Sequence, residues 1–393
     1  MYTDTDTDVS MLTGDKWCEM IHACFESQLY GQKIGRVGHN TIPALIGPPG
    51  IGKTQKLTTK YVEWLKENGS EVLEIDNPSV HLHTVILSQS DSVDIGGAYA
   101  PDFDKGTLRH LVIKDILGHI ENVDADIIII LFDELGNANA AMLAAIQSLF
   151  EDGMIRGHKK AANCVYAVAT NRPQDGTNSI KLPRSLVEGR LVSIHMGVNH
   201  EEWLEWAQEQ GIHAKIWAPI HWRPSLLYKF DPKAKGVNPT PRGYEKASRL
   251  IDRMREVDMD ILDTLIPGCI GDGVYAELRG YWEHAESLPL YEEILSDPDT
   301  APVPGGGDCV GEGPSGQYAI STNICYELQE IKKRDEFLSR KDATAIITYI
   351  NRLDDEIGMF AMRICGDAHD NLKDCEAYAQ FMEKNKDYTI RQS

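Results

Sequence analysis

The stretch Gly47-Pro48-Pro49-Gly50-Ile51-Gly52-Lys53-Thr54 narrows the folds open to this chain more than any other feature. Its spacing is G-x-x-x-x-G-K-[ST]. Glycines let a backbone pass close around an anion and turn its N–H groups inward. An apolar run, Ala44-Leu45-Ile46, precedes the loop, and a helical pattern over Thr54–Glu67 follows it. A strand feeding a tight loop that opens a helix is the setting in which such a loop binds phosphate, because the positive end of the helix faces the same anion. Lys53 then reaches the β and γ phosphates of a nucleotide, and the Thr54 hydroxyl ligates Mg²⁺.

The surrounding pattern agrees with a layered α/β domain. Short apolar runs over Ala44–Ile46, His83–Leu87, Ile127–Phe132, Val165–Thr170 and Leu191–His195 read as strands. Thr54–Glu67, Leu108–Ile120 and Ala140–Glu151 read as the helices between them, the alternation expected of a parallel sheet. Residues 1–35 read as an acidic tail and a helix with Trp17, Met20, Ile21, Cys24 and Phe25 on one face. Residues 36–200 form the nucleotide-binding domain, and 201–295 a helical lid. Residues 296–316, with Asp297-Pro298-Asp299 and Pro304-Gly305-Gly306-Gly307, read as a linker, and 317–393 as a mostly helical C-terminal region.

Ile127–Phe132 is apolar throughout, as a central parallel strand is. It ends in Asp133-Glu134, and ligands of such sheets bind beyond the carboxyl ends of the strands. Asp133 is therefore expected to hold Mg²⁺ through water, and Glu134 to orient an attacking water. Val165–Thr170 likewise ends in Asn171, either a phosphate-sensing side chain or a turn initiator before Arg172-Pro173. His81 and His83 on one strand face read as structural rather than as metal ligands. Trp203 and Trp206, three apart, read as core.

Composition excludes several alternatives. The longest apolar run is strand-sized, so no transmembrane helix is expected. Lys+Arg number 39 against 60 Asp+Glu, a net charge of -21, which disfavours nucleic acid as partner. The eight cysteines form no C-x-x-C pair, and reduced, buried thiols are expected. Met1–Asp6 offers neither a basic region nor an apolar signal core, which points to a cytoplasmic protein.

Four blocks in order, Gly47–Thr54, Ile129–Glu134, Thr170-Asn171-Arg172-Pro173 and Leu182-Pro183-Arg184-Ser185-Leu186, resemble the AAA+ ATPases, and within them the MoxR-like branch with its CbbQ-type relatives. Asp133-Glu134-Leu135-Gly136-Asn137-Ala138 is similar to that branch's D-E-[IL]-N-[RK]-A block, with Gly136 in place of Asn. The lid stretch Trp203-Leu204-Glu205-Trp206-Ala207 and Pro239-Thr240-Pro241-Arg242 look like the same subgroup. The resemblance covers residues 36–265 well and the last third weakly.

It implies an AAA+ three-layer αβα domain, with ATP and Mg²⁺ as cofactors. Lys53 and Thr54 would serve the first nucleotide motif, Asp133 and Glu134 the second. Asn171 would be the first sensor and Arg242 the second. Arg190 stands at the arginine-finger position, although Glu188-Gly189-Arg190-Leu191 departs from the usual D-R-F; Arg184 is the alternative. A finger in trans implies a homo-oligomer, usually a hexameric ring. The expected activity is ATP hydrolysis coupled to remodelling of a protein client in a chaperone role, the client carrying a von Willebrand A-type domain. Tyr99 and Phe103, between the two nucleotide motifs, are candidate pore aromatics or local packing. A nucleic-acid motor and a nucleotide-gated scaffold with little turnover are the rival expectations.

Overall fold

The computed structural model describes residues 15–34, 41–111, 119, 124–155, 158–177, 179–253, 259–286, 288–305, 313–334 and 336–385. The chain divides into two compact units: residues 1–202 with 231–233, and residues 203–230 with 234–393.

The first unit is a three-layer α/β domain. Its strands are β1 (Ile42–Ile46), β2 (Val80–Ile86), β5 (Ile127–Asp133), β8 (Cys164–Thr170) and β9 (Leu191–His195). They pair in the order β2-β5-β8-β1-β9, all parallel. Alternation along β5 explains why it is apolar throughout. Ile127, Ile129 and Leu131 face one helical layer, and Ile128, Ile130 and Phe132 face the other.

The first layer holds α1 (Asp15–Lys33) and α2, which begins as Lys53–Gln55, continues as a π-helical stretch Lys56–Tyr61 and ends as Val62–Val72. Trp17, Phe25, Leu57 and Tyr61 pack here. Helix α3 (Ser92–Gly96) follows β2 and buries Ile95. The second layer holds α4 (Ala140–Asp152), with Leu143, Ile146, Leu149 and Phe150 on the sheet, and α5 (Arg184–Gly189), with Leu186.

Gln28 ties α1 to the sheet. Its amide nitrogen donates to the Tyr166 carbonyl at 2.9 Å and its oxygen accepts from the Tyr166 N–H at 2.8 Å. A fully buried amide is tolerated here because both of its ends are bonded.

The start of one expected helix is a hairpin strand. Leu108–Ile120 was read as helical, but Thr107–Leu111 is strand β4, paired antiparallel with β3 (Ala98–Asp102). Gly106, with φ of 61°, turns the chain back and makes cross-strand pairing available. Most of 112–123 lies outside the described residues. Tyr99, Phe103 and Leu108 are exposed on the hairpin, Phe103 by 90%. Two further short strands, β6 (Met154–Ile155) and β7 (His158–Lys159), pair after α4. His81 and His83 stack with His119, and His81 Nε2 lies 2.8 Å from His119 Nδ1.

The second unit is helical. Trp203 and Trp217 are buried in it, and Trp203 lies against Tyr244. Helix Gly313–Lys333 is flanked by Ala214–Trp222, Asp272–Glu286 and Asp355–Ala368. The described first part of the segment expected as a linker, up to Gly305, is bonded to C-terminal helices. The Tyr349 hydroxyl donates to the Pro302 carbonyl at 2.6 Å and Arg352 to Pro298 at 2.5 Å. The cysteines among the described residues are free thiols, five of them buried. No helix among the described residues is long and apolar enough to cross a membrane.

Lys160 is 5% exposed at the foot of β8. Its ammonium donates to the Cys164 carbonyl at 2.9 Å and lies 4.4 Å from the Tyr166 ring centre. Burial pulls it down from 10.5 to about 8. Between those values the unfolded chain holds a proton that the folded chain has released, so folding stability rises with pH across that window. Below about pH 8 the full penalty remains, on the order of 3 kcal/mol for such a shift. Lys160→Met removes the group, so the stability gap between variant and wild type should narrow as pH rises from 8 to 10.5. Thermal unfolding in parallel would show it; a pH-independent gap would remove the buried charge as the cause.

Candidate nucleotide site

Three adjacent strands, β5, β8 and β1, end at one edge of the sheet and deliver the side chains expected to act together. After β1 the loop over Gly47–Gly52 leads into α2. Gly52 has φ of 85°, a left-handed conformation open to glycine at little cost, and α2 starts at the next residue.

Lys53 lies folded over its own loop. Its ammonium donates to the carbonyls of Gly47 and Pro48 and to Asn171 Oδ1, each at 2.8 Å. Lys53 is 9% exposed, so these oxygens take the place of water around the charge. The contact links the loop after β1 to the tip of β8.

Thr54 Oγ1 donates to Asp133 Oδ2 at 2.6 Å, linking α2 to the tip of β5. A hydroxyl and a carboxylate side by side form the oxygen donor set a hard divalent cation takes, with water completing its shell. The residues present therefore fit Mg²⁺. Asp133 Oδ1 accepts from the Glu134 N–H at 2.8 Å.

Glu134 adopts φ 57° and ψ 39°, a left-handed conformation costly for a side chain with a Cβ. The strand ends abruptly there, and Asn137 donates from Nδ2 to Glu134 Oε2 at 3.2 Å. A strained residue held by its neighbours beside a candidate ligand site has the form of a preset catalytic position.

Gly136 stands where the resemblance expects Asn, and packing gives the reason. A Cβ there would lie 2.8 Å from Ser179 Cβ and 2.9 Å from Thr170 Oγ1. The Gly136 N–H donates to Thr170 Oγ1 at 3.1 Å, and its carbonyl accepts from the Ile180 N–H at 2.7 Å. Sequence reading missed Asn137 and Thr170. Asn137 sits inside the quoted acidic block, a polar residue three positions after Glu134, which was its available signal.

Arg172 is bound to the buried Asp175 carboxylate, at 2.7 Å from Nη2, which fixes the loop after Asn171. Lys56 and Lys60 on α2 pair with Glu202. Burial pushes the Glu202 carboxyl up, but the two lysines outweigh it and hold it below its ordinary value.

The arginines differ sharply. The Arg190 side chain is 16% exposed and is tied to Glu151 and to the Ser185 carbonyl. Arg184 opens α5 with its side chain 83% exposed, paired among the described residues with the exposed Glu188 at 2.7 Å. Arg242 is exposed at the start of the helix Pro241–Arg253, in the second unit.

No protein-family model and no curated protein sequence matches the chain. Solved structures align with it at low identity. The Thermotoga maritima RuvB Holliday junction branch migration motor shares 14% identity over 72% of this chain and 75% of that one, with a TM-score of 0.31. A DNA replication initiation factor shares 13% over 92% and 97%, with a TM-score of 0.33. C. elegans PCH-2 shares 13% over 68% and 69%, with a TM-score of 0.30. At these scores the likenesses decide nothing about the site, whose chemistry stands on its own residues.

Proposed function

We propose that the protein is a Mg²⁺-dependent ATPase of the AAA+ class that works as a homo-oligomeric ring. The observation that carries this reading is the linked set Lys53–Asn171 and Thr54–Asp133, with Glu134 adjacent, at three neighbouring strand ends. The loop N–H groups and Lys53 bind the β and γ phosphates. Thr54 and Asp133 hold Mg²⁺, which supplies charge neutralisation at the phosphoryl group. Glu134, positioned by Asn137, orients the attacking water, and Asn171 senses the γ-phosphate. Arg242 serves as the sensor from the helical unit.

Arg184 is the better finger. A guanidinium that enters a neighbour's site must leave its own subunit, and Arg184 has only a solvent-exposed pair with Glu188 to give up among the described residues, while Arg190 is held in a largely buried one. The client is a protein in this reading, in keeping with the MoxR-like resemblance and a von Willebrand A-type partner. The exposed hairpin carries Tyr99, Phe103 and Leu108 with Lys105 and Arg109 against Asp102 and Asp104, a surface that does not suit a phosphate backbone.

The test is ATP hydrolysis per subunit against protein concentration. The rate should rise steeply as rings form, and Arg184→Ala should lower it by roughly 10²-fold or more. Mixing Arg184→Ala with Glu134→Gln subunits should restore activity, since each supplies what the other lacks. A flat, very low rate at all concentrations would instead favour the nucleotide-gated scaffold. Loss on Arg190→Ala with none on Arg184→Ala would reassign the finger.

A further inference from the structure

The helical unit contains a cavity of about 440 Å³, unconnected with the nucleotide residues. That volume lies within the range of small-molecule sites, about 300–1,000 Å³. Its walls come from the helices Asp272–Glu286, Tyr291–Ser296 and Gly313–Lys333, and from the start of Ala214–Trp222.

The lining has a definite chemistry. Four rings, Tyr281, Trp282, Tyr291 and Tyr326, share it with two carboxylates, Glu292 and Glu327. The indole N–H of Trp282 is already used, donating to the Lys215 carbonyl at 2.8 Å, so that ring is fixed. Neither carboxylate has a hydrogen-bond or ion-pair partner among the described residues. The Tyr291 hydroxyl is also buried without a partner among the described residues. Burial raises the Glu327 carboxyl above its ordinary value, and Glu292 adds to the rise while Arg334 opposes it. Lys215, the cation in the lining, is engaged in interactions of its own.

Two mutually repelling carboxylates, neither in a direct ion pair among the described residues, beside aromatic faces, are completed by a cation. Ring faces attract cations most when the site is shielded from water. Glu292 is exposed at the mouth, but Glu327 is half-buried, and a carboxylate that has lost part of its hydration gains most from a donor that brings both charge and N–H groups. The apolar remainder, with Ile294, Ile320 and Ile324, suits a hydrocarbon stem rather than a bare metal ion.

We propose that this cavity binds a primary ammonium carried on an alkyl stem, either a free alkylamine or a lysine side chain of another protein. The full-length protein is titrated by calorimetry with n-hexylammonium, 1-hexanol and hexanoate, and with N-acetyl-lysine amide. Saturable binding of n-hexylammonium is expected, with the neutral alcohol and the carboxylate at least about tenfold weaker. Glu292→Gln and Glu327→Gln should each weaken it by about tenfold, the effect of losing a charged hydrogen-bond acceptor. N-acetyl-lysine amide binding tighter than n-hexylammonium would assign the cation to a partner's lysine, and the reverse order to a free amine. No saturable heat from either amine at millimolar concentration, or 1-hexanol binding equally well, would overturn the proposal. So would unchanged affinity in both glutamine variants. Should either variant unfold, the charge series on the wild type decides alone.

Discussion

Lys53→Ala is expected to abolish nucleotide binding. The ammonium now bonds three oxygens, the Gly47 and Pro48 carbonyls and Asn171 Oδ1. Those contacts aim it over the loop that would receive the phosphates. An alanine removes the only full positive charge that the sequence places within that loop. A charge-assisted contact is worth about twice a neutral one. Losing several to the β and γ phosphates should weaken binding by on the order of 10²-fold or more. Equilibrium binding of a fluorescent ATP analogue measures it, with circular dichroism to show that the variant is folded. Tight binding by a folded Lys53→Ala protein would sink the phosphate-loop assignment and everything built on it.

Glu134→Gln should separate binding from turnover. Glutamine matches glutamate in shape, and its amide oxygen can still accept from Asn137, so the left-handed backbone at this position should persist. What disappears is the carboxylate charge that orients and polarises water. Hydrolysis should fall by roughly 10²-fold or more, the usual weight of a positioned base, while ATP affinity stays within about twofold of wild type. Single-turnover hydrolysis distinguishes the chemical step from product release. Near-normal turnover would remove Glu134 from the mechanism and move attention to another carboxylate.

Much of this architecture was legible because its signals are local. The five sheet strands were readable from runs such as Ile127–Phe132, whose continuous apolarity reports cover on both faces. The loop was readable because glycine and lysine spacing encodes its chemistry directly. Other features depend on residues far apart in the chain. Thr107–Leu111 has an ambiguous pattern, and pairing with Ala98–Asp102 decides it. The difference between Arg184 and Arg190 arises from Glu151, which lies in another helix. Gly136 looked like a departure from a motif until Ser179, brought in from a later loop, was seen to occupy the space.

The strand order has a consequence for how the protein is made. β1 is the first strand of the sheet to be synthesised, yet its two neighbours, β8 and β9, are the last. The bonds from Gln28 to Tyr166 likewise span 138 residues. A ribosome adding about 5–20 residues per second leaves β1 unpaired for on the order of ten seconds. During that interval the phosphate loop exists as sequence but not as a site. The nascent chain therefore gains its candidate nucleotide-binding edge late, when β8 emerges and joins the first strand to β5.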